Sequence, residues 1–122
     1  MTYKYSNEKG FLIVAGKASD FLAIGCGFGG GIEETVMTAG DFEGFKQITV
    51  KGGKKLCCDG CMHLFKPDDE VFFVAVLNRI LCKGCFDDFY EFAVWHNSDK
   101  RIEERNYKNI ISSLKDKNLF NQ

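Results

Sequence analysis

The sequence predicts an α+β fold: a small N-terminal antiparallel β-sheet packed on a four-cysteine metal module, with two helices at the C-terminal end. Three observations carry this. Short apolar runs broken by turn residues fill positions 1–56, and cysteines recur as Cys58-x2-Cys61 and Cys82-x2-Cys85. After Cys85 the apolar residues take helical spacing. The segments are a β-rich stretch at 1–56, a metal module at 57–97, and a helix and tail at 98–122. A length of 122 residues suits one compact domain.

The N-terminal segment holds five candidate strands: Tyr3–Tyr5, Phe11–Ala15, Phe21–Ile24, Thr35–Thr38 and Phe45–Val50. Gly10, Gly16-Lys17, the glycines at 25–31, Gly40-Asp41 and Gly52-Gly53 punctuate them. Gly25-Cys26-Gly27-Phe28-Gly29-Gly30 formally matches a dinucleotide fingerprint. A nucleotide fold needs several βα units after such a turn, and the cysteine module intervenes too soon. The expected reading is a loop or bulged strand packed closely on a neighbour, with Cys26 a buried thiol.

In the metal module each two-residue spacer lets a tight turn point two sulfurs at one ion. Two such pairs, Cys58, Cys61, Cys82 and Cys85, complete a tetrahedral four-sulfur shell, which suits Zn²⁺ best and structural iron second. Local disulfides or a redox pair are the competing reading. Gly60 and Gly84 precede the second thiolate of each pair and are expected to relieve crowding there. Cys57 and His63 are alternate ligands by position. Lys66-Pro67-Asp68-Asp69 marks a turn, Val71–Val76 a strand, and Asn78-Arg79 a reversal into Ile80-Leu81. Phe86, Phe89, Tyr90, Ala93 and Val94 then form the stripe of a helix expected to end near His96-Asn97, its first turn stabilising the thiolates.

A knuckle, a hairpin, and a helix carrying the last two ligands resemble a treble-clef zinc finger over Cys58–Trp95. Cys-x2-Cys, hairpin, Cys-x2-Cys-Phe is similar to half of a LIM-type module. The resemblance implies one structural Zn²⁺ and a binding role toward protein or nucleic acid. A zinc ribbon is the runner-up, disfavoured by the helical pattern after Cys85.

The last helix is expected from Ser98 or Asp99, opened by Ile102 and with Tyr107, Ile110, Ile111 and Leu114 on its apolar stripe. Lys100, Arg101, Glu103, Glu104, Arg105 and Lys108 are assigned to a solvated face, and Lys115 to Gln122 to a frayed tail. Phe92, Trp95 and His96 lie off the first helix's main stripe. They are expected to be covered by the sheet or, failing that, to centre a protein-binding patch.

Sixteen basic and seventeen acidic residues give a net charge of −1. The nucleic-acid alternative rests on Lys51, Lys54, Lys55, Arg79 and Lys83, but balanced charge and aromatic content favour a protein partner. Four thiolates close a zinc shell that a catalytic site would keep open, so no enzyme is expected. The expectation is a non-catalytic adaptor, inhibitor or modulator of a larger enzyme, of the kind phages and mobile elements carry as accessory proteins. No apolar run reaches membrane-spanning length and no secretory signal opens the chain, so a cytoplasmic location with reduced cysteines is expected.

Overall fold

Two runs are apolar at nearly every position, Ile13-Val14-Ala15 and Val71-Phe72-Phe73-Val74, and a strand of that composition must be covered on both faces. They become the middle of a sheet with helices on either side. The structure, a computed structural model, describes residues 1–29, 34–39, 45–50 and 54–121. In chain order the elements are β1 (Thr2–Lys4), β2 (Ile13–Lys17), α1 (Ala18–Ala23), β3 (Phe28–Gly29), β4 (Glu34–Ala39), β5 (Phe45–Val50) and β6 (Lys54–Lys55). There follow β7 (Glu70–Val74), β8 (Arg79–Leu81), α2 (Lys83–Phe92), a 3-10 turn at Asn97–Asp99, α3 (Lys100–Asp116) and β9 (Phe120–Asn121).

The main sheet has the order β8-β7-β2-β1-β9 and so draws strands from all three sequence segments. Its neighbours are antiparallel except β1 and β9, which run parallel, making the sheet mixed and not purely antiparallel. Ile13 faces Val74 and Ala15 faces Phe72 in the β2–β7 register, with Val14 opposite Phe73 between them. Alternation sends Val14, Val71, Phe73 and Ile80 to one face, where Phe21 of α1 and Ile111 and Leu114 of α3 cover them. Ile13, Ala15, Phe72, Val74 and Leu81 go to the other face, covered by Phe86 of α2 and by Cys58. Separate two-stranded ladders join β3 to β6 and β4 to β5.

Several expectations are corrected. Phe21–Ile24 lies in and just after α1 instead of forming a strand. Gly25, at φ +94°, ends the helix while the amides of Gly25 and Cys26 return to the carbonyls of Leu22 and Phe21. A four-residue apolar run looks the same as strand or helix, and the helix stop decides it. The tail is not frayed throughout. Asn118, at φ +57°, closes α3 in the same way, and Leu119 then accepts from the Thr2 amide (2.7 Å) and hydroxyl (2.6 Å) as β9 joins the sheet. The carbon that a side chain at Gly16 would add lies 2.5 Å from the Thr2 methyl, so that approach needs glycine. Gly40, Asp41, Gly52 and Gly53, named above as turn residues, lie outside the described residues.

Helix α2 ends at Phe92, short of His96. The Lys9 ammonium takes up the chain end there, donating to the carbonyls of Tyr90, Glu91 (3.2 Å) and Ala93 (3.0 Å) and sitting 4.8 Å from the Tyr90 ring centre. A cation at a helix C-terminus satisfies carbonyls that have lost their helical partners.

Candidate metal centre

The first cysteine pair sits on a tight knuckle. Cys57 bridges to Leu64, the Cys58 amide donates to the His63 carbonyl (2.8 Å), and the Met62 amide returns to Cys58 (2.9 Å) with Met62 itself at φ +65°. The second pair arrives from β8. Cys82 is the N-cap of α2, its sulfur accepting from the Cys85 amide at 3.5 Å, and Cys85 lies in the first turn. Asp59 ties knuckle to hairpin: its amide donates to the Ile80 carbonyl (2.9 Å) and its carboxylate accepts from the Ile80 amide (2.9 Å).

These elements bring Cys58, Cys61, Cys82 and Cys85 together with all four sulfurs within 4.8 Å of one another. Cys61 and Cys82 are 3.8 Å apart at sulfur. Metal–thiolate bonds of about 2.3 Å in a tetrahedron imply sulfur separations of about 3.8 Å, so the cluster fits one metal ion. Among the described residues it is the one such convergence of His, Cys, Asp or Glu donors. Cys57, Cys26 and His63 stand outside it.

One donor, Cys58, is prepared for charge. Burial acts to raise the Cys58 thiol, but the amides of Cys61, Cys82 and Gly60 and the Cys85 thiol outweigh it and hold the pKa at about 6. The Gly60 and Cys82 amides lie 3.3 Å from that sulfur. Cys85, donating to the Cys58 and Cys82 sulfurs, is pushed up to about 12. At Cys82 the Cys85 amide acts to lower the pKa, yet burial and the Cys58 sulfur prevail and it rises. Without metal, then, the first negative charge rests on Cys58 and opposes further ionisation. A bound cation would offset that charge and favour the thiolate forms of Cys82 and Cys85.

The two spacer glycines differ. A side chain at Gly60 would begin 2.9 Å from the Cys85 sulfur, so glycine is needed there. Nothing lies within 4 Å of the equivalent point at Gly84, and the crowding expected there is absent.

The other predicted positions are spread over the surface. Phe92 is 80% exposed, so the sheet does not cover it, and His96 is exposed as well. Trp95 is half-buried and donates to Glu103 Oε1 at 3.1 Å. Of the basic residues, Lys55 is exposed on β6 beside Lys54, Arg79 opens β8, and Lys83 is paired with Asp87 at 2.8 Å. Lys51 lies outside the described residues.

Two residues missed by sequence reasoning hold the region together. One is Lys9. The other is Glu103, expected on a solvated face but only 2% exposed, whose second carboxylate oxygen accepts from the Leu12 amide at 3.1 Å. A signal for it existed: Glu103 precedes Tyr107, Ile110, Ile111 and Leu114 at helical spacing, on the apolar stripe. Ile102, at the start of that helix, is 49% exposed.

Fold and site together define an α+β protein with a four-cysteine cluster placed to bind a metal ion. No family model, curated protein or solved structure matched the chain. No helix among the described residues is long and apolar enough to cross a membrane.

Proposed function

We propose that the cluster holds one structural Zn²⁺ in a treble-clef module, and that the protein is a non-catalytic adaptor or modulator that binds a larger protein. The order of knuckle, hairpin and helix supports the treble clef and its likeness to half of a LIM-type module. Four sulfur donors favour zinc, and a shell closed by them leaves no position for substrate. The observation that carries the binding role is the uncovered end of α2. Phe92 and Val94 are 80% and 69% exposed, and Lys9, Ala93, Val94 and Trp95 line an adjoining recess of about 360 Å³. Large apolar side chains held in water on a fixed helix end are what an interface desolvates. Trp95 contributes as a half-buried ring anchored by Glu103, and His96 as an exposed neighbour.

The nucleic-acid alternative has less support, since Lys83 is engaged by Asp87 and Arg79 lies on β8, a different element from the β6 pair Lys54 and Lys55. The test compares wild-type protein and a Phe92→Ser/Val94→Ser variant as baits in extract of the source cells. Metal content and melting temperature are matched first. A protein retained by the wild type and lost from the variant is expected. Equal retention by both baits overturns the assigned surface. Co-purifying nucleic acid, released by salt and insensitive to the two substitutions, overturns the protein-binding role.

A further inference from the structure

Two thiols outside the metal cluster line one cavity, just beyond the end of a two-stranded ladder. β3 and β6 pair antiparallel with Phe28 opposite Lys55 and Gly29 opposite Lys54. The ladder ends at Phe28, since Gly27 takes φ +100° and turns the chain toward Cys26. The chains stay close at this point, because a side chain on Gly27 would begin 2.5 Å from the Lys55 carbonyl oxygen. Both cysteines then face one space, a cavity of about 350 Å³ whose walls include Gly27, Leu56, Phe73 and Ile80. Each is half-buried, within reach of a small oxidant.

We propose that Cys26 and Cys57 are a disulfide-forming pair, oxidised by a peroxide, that works independently of the metal cluster. A disulfide needs Cα atoms about 4.4–6.8 Å apart, and the two thiols lie just beyond the close approach of Gly27 to Lys55, on the walls of one cavity. Consecutive residues of an extended chain point to opposite sides. Cys58 therefore faces the metal and the α2 side of the sheet, while Cys57 faces the cavity. Cys26 packs with the α1–α3 side. This accounts for the Cys57-Cys58 doublet without making Cys57 a spare ligand.

The chemistry balances. With hydrogen peroxide as oxidant, one sulfur attacks a peroxide oxygen, the O–O bond breaks, and a sulfenic acid and one water form. The second sulfur attacks the first, the S–O bond breaks, and the disulfide and a second water form. Two thiols lose two electrons and two protons to one peroxide. The product staples β6, and so the base of the knuckle, to the end of α1.

The experiment treats the metal-loaded protein with limiting hydrogen peroxide, then measures metal content, total thiols after unfolding in chelator, and a non-reduced peptide map. The six cysteines should fall to four titratable thiols, with metal retained and a cross-link between the peptides holding Cys26 and Cys57. Cys26→Ser and Cys57→Ser should each lack the cross-link while retaining metal. Thiol loss accompanied by metal release, or the same two-thiol loss in the Cys26→Ser/Cys57→Ser variant, overturns the proposal. So does a wild-type map in which both cysteines are oxidised singly and never joined.

Discussion

The two faces of the central sheet are built from different materials. On the α1–α3 face the buried contacts are mainly aliphatic, with Val14, Val71, Ile80, Ile111 and Leu114 around Phe21 and Phe73. On the α2 face they are aromatic and sulfur. Phe72 stacks on Phe86 with ring centres 4.5 Å apart, Tyr5 meets both edge-on, Phe11 meets Phe89, and Cys58 completes the cluster. Helix α3 has seventeen residues to cover its face, whereas α2 has ten and buries only Phe86 fully. A short helix with one fully buried side chain is marginal by itself. A metal held by its two N-terminal cysteines would supply what its length does not, so the aliphatic layer rests on burial and the aromatic layer would rest partly on metal.

Breaking that asymmetry at the metal should have the largest effect. Cys82→Ser keeps an oxygen to cap α2 but removes a ligand, which separates metal from capping. Structural zinc sites carry about 10–16 kcal/mol of apparent binding free energy, and in small modules that is folding free energy. The variant should lose its metal and the ordered aromatic signal of the α2 face, read by metal analysis and near-UV circular dichroism. Unchanged metal content and melting would remove the metal site from the account. On the other face, Leu114→Ala should cost about 2–5 kcal/mol in a denaturant titration with metal still bound. Metal shed in step with that loss would mean that the two layers unfold as one.

Glu103 tests how the layers are joined. It belongs to α3, yet its carboxylate holds the Trp95 indole beyond α2 and the Leu12 amide before β2. Glu103→Ala strands two donors and should cost about 1–3 kcal/mol for each that stays buried. Glu103→Gln keeps one acceptor oxygen and should recover part of the loss. Trp95 is the only tryptophan, so its fluorescence reports the change directly. Equal stability of wild type and Glu103→Ala would leave the layers joined by the sheet alone.

What was legible in the sequence was local. The cysteine cluster declared itself because two thiols on one turn need a two-residue spacer, and the strand before Cys82 and the helix after it follow from composition and period. The general α+β character followed too. What was illegible depended on distant partners. The apolar quartet at 21–24 is helix or strand according to how Gly25 folds. Phe120 and Asn121 become a strand only because β1 presents an open edge 118 residues away in sequence at Thr2↔Phe120. Glu103 looked solvated because charge was weighed above position, although its place on the stripe was visible. Gly60 and Gly84 hold the same place in their motifs, yet only Gly60 is pressed by a sulfur from the other pair.

The smallest expected effect falls at the far end of α2. Lys9 gathers three carbonyls where the helix stops, and charges at helix termini contribute about 0.3–1 kcal/mol, rising to about 2 kcal/mol when partly buried. Lys9→Met keeps most of the apolar stem while removing the ammonium, so about 1 kcal/mol should be lost with metal retained. Hydrogen exchange locates the loss: amides near Tyr90–Ala93 should exchange faster, while those of the first turn, held beside the cysteines, should not change. Uniform acceleration along α2 would mean that the helix opens as a unit and that the metal does not anchor one end independently. Faster exchange confined to the lysine end would show α2 pinned at its N-terminus by sulfur and at its C-terminus by a single cation, next to the uncovered Phe92.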